Sequence, residues 1–105
     1  VHQFVKIGEH AMVGGGAMVR KDVPPFITAA GEPVTFAGVN SIGLKRRGFS
    51  SAHVNLIQDV YRIIYQSGKN ISQAVEIVKR EYKVDPNVLR IINFIEKSDR
   101  GLIRK

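Results

Sequence analysis

The sequence predicts the end of a parallel β-helix followed by an α-helical cap. Three observations point there. A six-residue repeat runs through the first 24 residues. The composition changes abruptly after Gly43. Beyond that point, apolar residues recur at helical rather than strand spacing.

Written in sixes, the chain opens VHQFVK, IGEHAM, VGGGAM, VRKDVP. The first position is Val1, Ile7, Val13 and Val19; the fifth is Val5, Ala11, Ala17 and Val23. A branched aliphatic and a small residue thus each recur every six residues. A helical period of 3.6 does not produce this, and a simple period of two does not enforce the small fifth position. Each hexapeptide reads as one flat side of a narrow prism. The aliphatic points inward, the small residue sits where the chain turns, and three sides close one coil. Four hexapeptides are fewer coils than a solenoid needs to bury its faces, which predicts further coils ahead of Val1. The repeat stops at Pro24-Pro25, which cannot donate two successive ladder hydrogen bonds. Phe26 to Asn40 reads as an irregular extended segment, either a loop or an imperfect coil, with turns at Gly31-Glu32-Pro33 and Gly38.

The remainder is helical. Ser50 or Ser51 caps a helix to about Gln66 with Gly68 as its stop, and Val54, Ile57, Val60, Tyr61 and Ile64 form its apolar stripe. Asn70 with Gln73 makes a capping box for a second helix, whose buried face is Ile71, Val75, Val78 and Tyr82. Asp85-Pro86 starts a third, carrying Val88, Ile91, Ile92 and Ile95 and ending near Ser98. The division is residues 1–43 for the repeat and its connecting segment, and 44–105 for the helical part.

The chain of 105 residues carries no Cys, which excludes a disulfide framework, a Cys-ligated zinc site and thiol catalysis. No apolar run approaches the roughly 18 residues of a membrane helix. No targeting signal is present at the start, and the cytosol is the default compartment. The net charge of +7 is unevenly placed: three basic and three acidic residues precede Gly43, whereas 13 basic and 6 acidic residues follow it. Such a basic half suits an acidic partner, either an acidic protein or nucleic acid.

Candidate chemistry is sparse. His2, His10 and His53 are the histidines; the first two are eight apart and fall at different repeat positions, so they do not share a ladder as metal ligands. No carboxylate stands beside them at triad or ligand spacing, and neither a metal nor a cofactor is expected. Gly14-Gly15-Gly16 is either a tight corner or a groove floor that a ligand approaches closely. Lys45-Arg46-Arg47, after a turn at Asn40 to Leu44, is a solvated run or an anion clamp at the junction of the two halves.

The stretch Gly38-Val39-Asn40-Ser41-Ile42-Gly43-Leu44-Lys45-Arg46-Arg47-Gly48-Phe49-Ser50, with Val1-His2-Gln3-Phe4, Asp22-Val23-Pro24-Pro25-Phe26, Tyr65-Gln66-Ser67-Gly68-Lys69 and the terminal Arg100-Gly101-Leu102-Ile103-Arg104, resembles the C-terminal part of a known family. It is the acyl-carrier-protein-dependent UDP-N-acetylglucosamine O-acyltransferases, which begin lipid A biosynthesis. Two positions depart from the family's pattern: Ile42 stands where some members carry Glu, and Pro33 where some carry His.

The resemblance implies a left-handed coil and a homotrimer with active sites between neighbouring solenoids. It also implies transfer of a 3-hydroxyacyl group from acyl carrier protein to the sugar 3-hydroxyl of UDP-N-acetylglucosamine. The general-base His of the family lies upstream of the matched part, so no catalytic residue is assigned within this chain, and the chain alone is expected to be inactive. The matched substrate-binding positions are His2 and Gln3 along the groove, Gly15 at its acyl end, and Asn40, Arg46 and Arg47 at the nucleotide end. An acidic carrier protein then accounts for the basic half. The competing readings are a related hexapeptide N-acyltransferase and a basic nucleic-acid-binding module. The second is disfavoured because few aromatics are placed to stack on bases.

Overall fold

A computed structural model of the chain describes residues 5–14, 19–31, 33–82, 85–98 and 101–104. Three short strands, β1 (Met12–Val13), β2 (Ile27–Ala30) and β3 (Thr35–Val39), precede four helices, α1 (Ser41–Arg46), α2 (Ser51–Gln66), α3 (Ile71–Tyr82) and α4 (Pro86–Glu96). The sheet order is β1-β2-β3.

The repeat folds back on itself in parallel. Met12 pairs with Thr28 and Val13 with Ala29, and Ile7 pairs with Val23 in an isolated parallel bridge. Backbone bonds run along this seam: Gly8 N donates to Val23 O at 2.7 Å, Val23 N to Lys6 O at 2.8 Å, Phe26 N to Glu9 O at 2.8 Å and Gly14 N to Ala29 O at 2.8 Å. Parallel neighbours at one constant offset are what a solenoid turn produces. The offset is sixteen residues, however, not the eighteen of three hexapeptides. The offset stays constant from Ile7 to Val13, opposite Val23 to Ala29. It moves Val23, read as a fifth-position residue, beneath the first-position Ile7. Of the first-position aliphatics, Val19 is buried but Ile7 is 40% exposed.

The segment after Pro25 is a β-hairpin, not an irregular stretch. β2 pairs antiparallel with β3, Ala30 opposite Thr35 and Ala29 opposite Phe36, and the register then slips by one residue to bring Ile27 opposite Val39. Gly38, at φ +108, lies at that slip. It serves a β-bulge rather than a turn, in a backbone region that side chains rarely adopt. Gly31 does sit in the turn that joins the strands.

The helical boundaries follow the capping chemistry. Ser50 caps α2, its Oγ accepting from His53 N at 3.1 Å. Asn70 and Gln73 form the capping box, Gln73 N donating to Asn70 Oδ1 at 2.8 Å and Asn70 N to Gln73 Oε1 at 3.2 Å. Asp85 caps α4 through Asn87 N and Val88 N, with Pro86 at the first helical position. The stripes of α2 and α4 are buried as read. On α3 the buried face is Ala74, Val75 and Val78; Tyr82 is partly buried and Ile71 is 36% exposed. Ile71 opens the helix, directly after its cap.

Helix α2 is the centre of the packing and touches β3, α1, α3 and α4. Tyr61 and Tyr65 on α2 join the two halves. Tyr61 Oη donates to Pro25 O at 2.6 Å, and Tyr65 Oη donates to Ile103 O at 2.9 Å. The Phe36 ring from β3 stacks on Tyr65 with centroids 4.4 Å apart. Burial pushes both phenols well above the usual tyrosine range, Tyr61 further through the neighbouring Tyr65. The end of the chain also returns to the first half. Leu102 bridges to Asp22 and Arg104 to Thr35, both in parallel. Asp22 is 1% exposed and is the hub of this closure: its Oδ1 accepts from Lys6 N at 2.8 Å and its Oδ2 from Ser98 Oγ at 2.5 Å. No described helix is long and apolar enough to cross a membrane.

Candidate functional site

The junction of sheet and helices is built around Asn40, the residue between β3 and α1. Its backbone N–H donates to Phe26 O at 2.8 Å, which fixes the exit of the hairpin. Its side-chain oxygen accepts from Gly43 N at 3.3 Å and caps α1. Its side-chain amide donates to His10 O at 3.2 Å. One residue, through its backbone and its side chain, therefore ties the hairpin, the short helix and the His10 segment together.

Asn40 to Leu44, read as a turn, is the start of α1, so Lys45 and Arg46 occupy the last turn of a helix and Arg47 its C-cap. That sets the two arginines on different headings. Arg46 lines a cleft of about 270 Å³ with Met12, Thr28, Val39, Asn40 and Ile42. Among the described residues, Arg46 makes no hydrogen bond or ion pair. Ile42, 69% exposed, stands at the rim. Arg47 turns instead toward the coil, where its Nη1 meets His10 Nδ1 at 2.5 Å. Among the described residues, the cleft thus brings together the Arg46 cation, a carboxamide, hydroxyl groups of Thr28 and Ser41, and apolar walls from Met12, Val39 and Ile42. A site of this kind suits a ligand that is anionic at one end and has a flat or apolar body.

Of the predicted binding residues, Asn40 and Arg46 share this cleft and Arg47 lies beside it. His2, Gln3 and Gly15 lie outside the described residues. His53 is exposed on the first turn of α2. His10 is a residue that sequence reasoning treated as isolated; it is 37 positions from Arg47, and no spacing rule links the two. Among the described residues, no group of three or more His, Asp or Glu could hold a metal. A second cleft of about 310 Å³, lined by Phe36, Gly38, Val39, Gln58, Arg62 and Gln66, holds none of the predicted residues. Its cation, Arg62, is already paired with Asp59 at 2.9 Å.

Residues 22–103 match the family described as UDP-N-acetylglucosamine O-acyltransferase, domain 2. The chain belongs to this family. It is 45% identical over 108 residues to the acyl-[acyl-carrier-protein]–UDP-N-acetylglucosamine O-acyltransferase of Janthinobacterium sp. strain Marseille, covering 99% of this chain and 41% of that protein. To the enzyme of the same name from Myxococcus xanthus strain DK1622 it is 38% identical over 104 residues, covering 99% and 40%. Its fold superimposes on a UDP-N-acetylglucosamine acyltransferase from Bacteroides fragilis 9343 with a TM-score of 0.95 and 47% identity, over 98% of this chain and 40% of that one. The enzyme from Acinetobacter baumannii follows at a TM-score of 0.92 and 35% identity, again over 98% and 40%. The chain therefore spans about two-fifths of the length of the relatives it matches.

Proposed function

We propose that this chain is the C-terminal portion of an acyltransferase that moves a 3-hydroxyacyl group from acyl carrier protein to the 3-hydroxyl of UDP-N-acetylglucosamine. The observation that carries the reading is the cleft at Asn40 and Arg46, an anion-ready site within the residues that match the family. In the reaction the sugar oxygen attacks the thioester carbonyl, a C–O bond forms, the C–S bond breaks and the carrier thiol leaves. A general base takes the hydroxyl proton. Arg46 is the phosphate contact and Asn40 a neighbouring polar contact. Arg47 completes the nucleotide end, while His2 and Gln3 line the groove and Gly15 limits the acyl chain. The sixteen-residue parallel return supports a β-helix, proposed to be left-handed, with α2 to α4 covering its end in a homotrimer. The general base is proposed to lie in an upstream coil, which is consistent with His10 being engaged by an arginine and His53 being exposed. The surplus of cations after Lys45 attracts the acidic carrier protein.

The test is acyl transfer by the complete enzyme, followed by mass spectrometry of the acylated sugar nucleotide. O-acylated UDP-N-acetylglucosamine is expected. Acylation of an amino-sugar acceptor alone would move the protein to the N-acyltransferase reading. The isolated 105-residue chain is expected to show no turnover, and turnover that disappears on changing His2 or His10 would place the base within it.

A further inference from the structure

We propose that His10 is a positioning residue for the nucleotide-sugar site, holding the Arg47 guanidinium and the Asn40 amide in the geometry that binds the diphosphate end. The inference rests on the reading of the Asn40–Arg46 cleft given above. His10 reaches both neighbours with different atoms. Its ring Nδ1 meets Arg47 Nη1 at 2.5 Å, and its main-chain oxygen accepts from Asn40 Nδ2 at 3.2 Å. Arg carries donors only. The contact therefore requires Nδ1 to be the unprotonated nitrogen, with the ring proton on Nε2. Arg47 otherwise stands exposed at the end of a short helix. A long side chain there samples many rotamers unless something fixes it. The His10 contact fixes one end of the fork and leaves the remaining N–H groups for a ligand.

His10 is itself held firmly. Its φ is +56, in the left-handed region that non-glycine residues seldom adopt. Phe26, at φ +71, is the other described non-glycine residue there. The two rings stack, centroids 5.8 Å apart and planes 18° from parallel, and Phe49 closes the edge of the imidazole at 5.4 Å. Backbone strain of this kind persists where surrounding contacts over-determine it, and such places cluster at binding sites. Here the strain turns an imidazole out of the coil and onto an arginine 37 residues away.

The structure supplies a clean separation of the acceptor from the ring. His10→Asn tolerates the left-handed backbone and puts an acceptor oxygen where Nδ1 was. His10→Phe keeps a ring for Phe26 and Phe49 and removes the acceptor. In calorimetric titration of the complete enzyme with UDP and with UDP-N-acetylglucosamine, His10→Phe is expected to weaken binding about threefold to tenfold, the effect of freeing one rotamer-rich side chain. His10→Asn is expected to stay close to wild type. In an Arg47→Ala background, His10→Phe is expected to add little, because the two residues act through one contact. Equal affinity of His10→Phe and wild type overturns the proposal, as does full additivity with Arg47→Ala. Loss in His10→Asn equal to that in His10→Phe, with both variants folded by circular dichroism, also overturns it. If His10→Phe does not fold, the nitrogen spectrum of the ¹⁵N-histidine-labelled wild type decides: an unprotonated Nδ1 supports the proposal and a protonated one overturns it. Failure of the wild type to bind either nucleotide is a different result, which removes the nucleotide reading of the cleft and the proposal with it.

Discussion

Gly8 lies directly against the main chain of Pro25. A β-carbon at position 8 would stand 2.3 Å from the Pro25 nitrogen and 2.6 Å from its α-carbon. The contact is backbone to backbone, so no side chain can swing away to relieve it. It follows from the parallel seam, in which Gly8 donates to Val23 and Phe26 donates to Glu9 across the same gap. Gly8→Ala is therefore expected to push the two strands apart and to cost about 1–3 kcal/mol, the range of overpacked cores. A urea melt of the variant checks this; a midpoint equal to wild type would mean that the seam is looser than it looks.

Gly43 meets its neighbour differently. A β-carbon there would come within 2.5 Å of Asn40 Nδ2 and 2.9 Å of its oxygen. The obstacle is a side chain, and it can move. Gly43→Ala gains about 0.8–1 kcal/mol of helix propensity but displaces a cap of about 0.5–2 kcal/mol. The net stability change is expected to be small. Binding is the sensitive readout, because the displaced amide also leaves His10 O and the cleft wall. Weaker UDP-sugar binding at nearly unchanged melting temperature is the expected pair of results.

Asp22 closes the fold. Its carboxylate accepts from Lys6 N and Ser98 Oγ, and its main chain receives and donates bonds to Ile103 and Gly101. Hydrogen bonds to a charged group contribute about 1.5–3 kcal/mol each. Asp22→Ala is expected to cost about 3 kcal/mol or more, since it strands the Lys6 amide as well. Ser98→Ala removes one of the two bonds and is expected to cost about half as much. Equal effects of the two in denaturant titration would argue that the Lys6 bond contributes nothing.

How far the sequence carries depends on whether the deciding contact is local. The caps at Ser50, Asn70 and Asp85 are set within four residues, and each helix starts where its cap predicts. The first part of the chain does return in parallel, Ile7 on Val23 and Val13 on Ala29. The sixteen-residue return does not follow from a six-residue rule, which gives eighteen for three sides. The hairpin is not legible in the sequence because Gly38 reads as a turn unless the pairing of Ile27 with the adjacent Val39 is known. At the site, Asn40 and Arg46 are six apart, and α1 sets both on one cleft. Arg47 and His10 meet across two elements, and nothing local announces that.

The buried phenols predict an alkaline transition. Burial raises Tyr65, and burial with the Tyr65 neighbour raises Tyr61, above the unfolded value. A raised folded value means that the unfolded chain loses its phenolic protons first. Stability is then complete below about pH 9–10 and falls as pH rises past the unfolded value near 10, by about 1.4 kcal/mol per pH unit for each tyrosine. Urea melts between pH 8 and 11 measure the slope. Tyr65→Phe is expected to reduce it, at the cost of the bond to Ile103 O. A flat profile would mean that both hydroxyls reach water.

Arg46 is the sharpest test of the cleft. It is exposed, it makes no hydrogen bond or ion pair among the described residues, and it lines the cavity with Asn40. Removing it should leave the fold alone, with a stability change within about 0.5 kcal/mol, as for surface positions without special contacts. Any loss on ligand binding is then a lost contact and not a repacked core. A charge-assisted bond to a phosphate oxygen contributes about 1.5–3 kcal/mol, so Arg46→Ala is expected to raise the Kd for the UDP-sugar about 10- to 100-fold. Arg46→Lys keeps the charge but not the planar fork, and is expected to recover only part of the loss. The loss should shrink at high salt, because screening weakens the wild-type contact first. Titration of the complete enzyme at low ionic strength separates the outcomes. An unchanged Kd would take Arg46 out of the site and leave Arg47, held by His10, as the cation that meets the diphosphate.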